Sequence, residues 1–76
     1  MIQELDIVVL THDIKDHGLK QGDVGTVVHR YREGEAFEVE FVTAEGKTVA
    51  LLTLIPADIR PMSGGEILHV REFSAA

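Results

Sequence analysis

The sequence predicts an all-β domain, a small barrel of about five strands with a short helical turn before the last segment. Three observations predict it. Phe37, Val39 and Phe41 alternate with Glu38 and Glu40, the period of a strand with one face in a core and one in water. Valine, isoleucine and threonine recur in runs of four to eight residues. Glycine, aspartate and proline punctuate the spaces between those runs.

In chain order, residues 6–10 read as a β-branched first strand, and the polar stretch through His12, Asp13, Lys15, Asp16, His17 and Gly18 as an exposed loop. Residues 24–31 form the second strand and residues 37–43 the third. Arg32 to Ala36 between them has a length suited to a hairpin. Gly46, in the turn Ala44-Glu45-Gly46-Lys47, is free to adopt a left-handed conformation ahead of a fourth strand over residues 48–55. That strand is apolar on both faces, so one face lines the barrel and the other needs cover. Pro56 and Pro61 bracket a short turn that ends the main body at residue 62, and Ser63-Gly64-Gly65 is a joint. Residues 66–73, rich in β-branched side chains, are expected to add a fifth strand, either within the same domain or at a dimer interface; with the tail Ser74-Ala75-Ala76 they make up the segment 63–76.

A chain of 76 residues supports one thin core and buries only about 60 % of its unfolded surface, so help from a second subunit is a reasonable expectation. Cysteine is absent, which removes disulfides, thiolate metal clusters and thiol catalysis. The N-terminus has no cationic region before its apolar residues, and Val49 to Ile55, the longest apolar stretch, falls far short of the roughly 20 residues of a membrane helix; a cytoplasmic location is expected. Thirteen acidic against seven basic residues give a net charge of −6, which opposes phosphate backbones. The acids are concentrated: Glu33, Glu35, Glu38, Glu40 and Glu45 share one stretch free of Lys and Arg.

Gly22-Asp23-Val24-Gly25-Thr26-Val27-Val28 is the most informative run, with Gly22, Asp23 and Gly25 as structural residues of a tight turn and a bulge at a strand start. Together with Glu38-Val39-Glu40-Phe41-Val42 and the closing Asp58-Ile59-Arg60-Pro61, it resembles SH3-like barrels of the KOW and photosystem accessory-subunit kind, over about residues 5–62. It is most similar to a family of small stand-alone bacterial proteins of unknown function that share this run. The resemblance implies a fold and leaves the activity open.

His12, Asp13, Asp16 and His17 are metal-capable residue types, but their spacing matches no fixed ligand pattern, and solvated loop residues are the better reading. His29 and His69 have no serine or cysteine arrangement beside them that suggests nucleophilic catalysis. No catalytic residue, cofactor or metal site is assigned, and the protein is not expected to be an enzyme. Two surfaces are candidates for binding. Ile67, Leu68, Val70 and Phe73 are too apolar for a free tail; they pack on the barrel or add a strand across a two-fold axis in a homodimer, covering the outer face of the fourth strand. Glu33, Glu35, Glu38 and Glu40 form an acidic face that either is merely solvated or docks a basic partner. The leading expectation is a non-enzymatic protein-interaction module, such as an accessory, immunity or antitoxin-type subunit. The alternative is a KOW-like nucleic-acid or ribosome-associated protein that uses Lys15, Lys20, Arg30 and Arg32.

Overall fold

A computed structural model describes residues 1–73; Ser74, Ala75 and Ala76, the end of the expected terminal segment, lie outside the described residues. Five strands, β1 (Ile7–Leu10), β2 (Val24–Tyr31), β3 (Ala36–Val42), β4 (Thr48–Leu54) and β5 (Ile59–Pro61), form one antiparallel sheet in the order β4-β3-β2-β1-β5. Short 3-10 turns occupy Lys15–His17 and Pro56–Asp58. No helix among the described residues is long and apolar enough to cross a membrane.

The alternation in β3 works as its sequence requires. Phe37, Val39 and Phe41 are buried and Glu38 and Glu40 lie on the other side. One cluster joins them to Val8 and Leu10 of β1, Val27 of β2, Ala50 and Leu54 of β4 and Ile59 of β5. Side chains from both edge strands meet in that cluster, so the sheet must curl around it; a flat sheet would hold β4 and β5 four strand spacings apart, roughly 19 Å.

Glycine serves two different purposes around the start of β2. Gly22 has φ +94°, which the turn Lys20–Asp23 needs and a side chain would resist. Gly25 is buried in the strand opposite Val8, and a Cβ there would stand 2.7 Å from Val39 Cγ1 and 2.8 Å from Phe41 Cε1. The glycine expected to mark a bulge therefore marks a close approach of β2 to β3 side chains. The bulge itself falls three residues later, between Val27 and His29 of the β2–β3 ladder.

The terminal strand expected over residues 66–73 does not form. The fifth strand is instead Ile59–Pro61, which pairs with β1 through Val9↔Arg60 and Leu10↔Ile59. Proline ends it at the sheet edge, where a missing N–H costs least. Residues 66–73 carry strand-favouring side chains but have no ladder; β propensity is realised only against a neighbouring strand.

Candidate binding site

Residues 66–71 run as a strap over the outside of β1, held at each end by an arginine–carboxylate pair. The first pin is Arg60 of β5, whose Nη1 and Nη2 donate to Glu66 Oε1 and Oε2 at 2.8 and 2.6 Å while the Ser63 amide donates to the same carboxylate at 2.6 Å. The Arg60 bonds, followed by the Ser63 bond, bring the Glu66 carboxyl down to about 2.

The second pin reaches across 48 residues. Asp23 first closes its own turn by accepting the Lys20 amide at 2.8 Å. Arg71 then donates through Nε to Asp23 Oδ1 at 2.9 Å and through Nη2 to Asp23 Oδ2 at 2.5 Å and to the Gly18 carbonyl at 2.9 Å. Burial pushes the Asp23 carboxyl up, but the bonds from Arg71 and Lys20 outweigh it and leave the group below its ordinary value. Asp23 is thus both a turn residue, as its sequence context suggests, and the anchor for the chain end.

Between the pins the apolar side chains are largely exposed. Ile67 is 95 % exposed, Leu68 68 % and Val70 92 %, while Phe73, beyond the second pin, is half-buried. The strap does cover something: Val9, on the face of β1 opposite Val8 and Leu10, is only 6 % exposed and borders a hollow shared with Met62, Ile67 and Leu68. A larger groove of about 280 Å³ runs between the strap and the sheet, lined by Leu19, Val24, Phe41, Val49, Val70 and Phe73, with Asp23 and Arg71 at its side. Neither arginine of the pins, nor Glu66, stands out in the sequence: Arg60 and Glu66 are brought together by the turn at residues 63–65, and Arg71 meets Asp23 only when segments 48 residues apart come together.

The acidic residues divide into two kinds. Glu33 and Glu35 are exposed at the β2–β3 tip, where Arg32 and Glu33 both adopt left-handed backbone conformations with φ 42° and 58°. Glu38 and Glu40 are half-buried on the outer sheet face, where Thr53 and Tyr31 donate to Glu38 at 2.7 and 3.2 Å and Thr48 donates to Glu40 at 2.9 Å. Glu45 lies in the turn at the opposite end of the β3–β4 pair. The basic residues expected to cooperate are split as well: Lys15 and Lys20 precede β2, whereas Arg30 and Arg32 lie at its far end, roughly 20 Å of strand away.

The histidine-rich loop spreads its side chains. His12 places Nε2 2.7 Å from Asp58 Oδ1 and Nδ1 2.9 Å from the Asp13 carbonyl, so both ring nitrogens face acceptors. The Asp58 bond, then the Asp13 bond, raises its pKa, and the stabilisation this brings is present below the ordinary 6.5 and lost as pH rises through the higher folded value. His29 lies 3.2 Å from Glu4 and meets Tyr31 edge-on. Among the described residues no group of three or more His, Asp or Glu is arranged to hold a metal ion.

No curated protein and no solved structure matches the chain. A family described as a domain of unknown function, DUF4926, matches residues 4–61, from just before β1 to the last residue of β5, and leaves the strap outside. Over most of its length, then, this chain belongs to the DUF4926 family.

Proposed function

We propose that the protein is a non-enzymatic protein-interaction module, an SH3-like scaffold that presents the strap to a partner protein as an accessory or neutralising subunit would. The observation that carries this reading is the pairing of exposure with fixation: Ile67, Leu68 and Val70 face solvent on a segment bound at both ends by arginine–carboxylate pairs. A free apolar tail would lose much conformational entropy on docking, whereas a strap already held in place loses less. The strand order and the helical turn before β5 support the SH3-like comparison. The net charge of −6 and the exposed Glu33 and Glu35 favour a basic partner over nucleic acid, and the separation of the four basic residues weakens the KOW-like alternative.

The test is photo-crosslinking in the native cell from a reactive amino acid placed at Ile67 or Val70, with Glu45 as a control position. A discrete adduct with one protein from the strap positions, lost on competition with the wild-type chain, is the expected result. No adduct at either position, or adducts with nucleic acid instead, would overturn the reading.

A further inference from the structure

We infer that the free edge of β4 pairs antiparallel with β4 of a second copy of this chain, about a two-fold axis passing beside Leu51. The two edges of the sheet are built differently. β5 is three residues long, carries Arg60 and ends in Pro61, features that discourage strand addition. β4 is seven residues long and has neither charge nor proline, and among the described residues no backbone group reaches it on the side away from β3. A long, uncharged, unpaired edge invites another strand.

Charge selects a second copy as that strand. A chain of net charge −6 repels its own kind over most of its surface, and Thr48 to Ala57 is its longest uncharged run. Antiparallel self-pairing centred on Leu51 sets Thr48 opposite Leu54, Val49 opposite Thr53 and Ala50 opposite Leu52, with no like charges in register. The acids of the neighbouring strand, Glu38 and Glu40, are bonded to Thr53 and Thr48. Across the axis the two β3 strands would be three strand spacings apart, about 14 Å, beyond the screening length of about 8 Å at physiological salt. Leu51, 52 % exposed on the outer face, would meet its own copy there.

Both pins of the strap lie on the β1 side of the sheet, on Arg60 of β5 and on Asp23 ahead of β2, and among the described residues no backbone bond joins the strap to β4, although Val70 and Phe73 share a groove with Val49. The inference is therefore independent of the proposed function, and the experiment separates them.

Light scattering on a size-exclusion column at high micromolar concentration is expected to give twice the chain mass for the full protein. Leu51→Glu, which places two carboxylates at the axis, is expected to be monomeric with a cooperative thermal transition, and an equimolar mixture with Leu51→Lys to recover the double mass as a mixed pair. Should Leu51→Glu fail to fold, Leu51→Lys, opposite Glu40 in its own sheet, serves as the charged-axis variant. The combined change Ile67→Ser, Leu68→Ser and Val70→Ser is expected to leave the dimer intact. A monomeric wild type, a folded charged-axis variant that stays dimeric, a mixture that stays monomeric, or a strap variant that loses the dimer would each overturn β4 pairing. The last of these would leave the strap's binding role standing.

Discussion

The sheet and the strap occupy the same small protein but are held by different forces. Residues 7–61 are fixed by backbone ladders and by a cluster of side chains withdrawn from water. Residues 66–71 are fixed by two polar pins and cover little beyond Val9. Apolar burial involves no titrating group and no charge for salt to screen, whereas ion pairs weaken as acid protonates the carboxylate or as salt screens it. The sheet should therefore come apart only in a global transition, while the strap can open locally with the rest of the fold intact.

The change that breaks this contrast most severely is in the sheet. Gly25→Ala drives a methyl group into Val39 and Phe41 and is expected to lower global stability by about 3 kcal/mol, read as an earlier urea midpoint with an unchanged slope. A midpoint within experimental error of wild type would show that β2 and β3 can move apart freely. Arg71→Met has a smaller and more local consequence. It removes the second pin but keeps the aliphatic stem, and should cost about 1 kcal/mol while limited proteolysis within residues 66–71 accelerates. If cleavage there is unchanged, the strap is held by something other than the pin.

The smallest effect is a titration that sharpens the same distinction. Glu66 is held at about 2 in the folded chain against an ordinary 4.5, so its depressed value adds stability above pH 4.5 that is lost as pH falls towards 2. The bonded amides of the first pin, at Ser63 and Glu66, should lose protection over that window before the buried amides of β3 do. Simultaneous loss in strap and sheet would mean that the two open as one unit.

The sequence marks the sheet more clearly than the strap, for a physical reason. The two-residue period of Phe37 to Phe41 and the glycine–aspartate turn at 22–23 are local signals, set by side-chain direction and backbone freedom within a few residues. β5 is too short to show a period, and its Pro61 reads as a terminator, so the β-branched residues 66–73 attract the strand assignment instead. What separates the two is the availability of a neighbouring edge, a property of the folded chain. The candidate site is legible only in half. Ile67, Leu68 and Val70 announce themselves by being apolar near the chain end, whereas Arg60, Glu66 and Arg71 acquire their roles through contacts that span as many as 48 residues. Lys15, Lys20, Arg30 and Arg32 illustrate the converse, since closeness in sequence becomes distance once β2 is extended between them.

The loop after β1 and the turn before β5 are stitched together by the Thr11 amide on the Asp58 carbonyl, the Thr11 hydroxyl on the Ala57 carbonyl and His12 on Asp58, across a sequence separation of 46 residues for each of the two side-chain bonds. A chain that must enclose so long a loop pays the closure entropy before the contacts reward it, which places assembly at the slow end for small domains, in milliseconds or longer. Until that closure the β2–β3–β4 meander stands without β5, and the open side of β1 is a second unguarded edge during every round of synthesis.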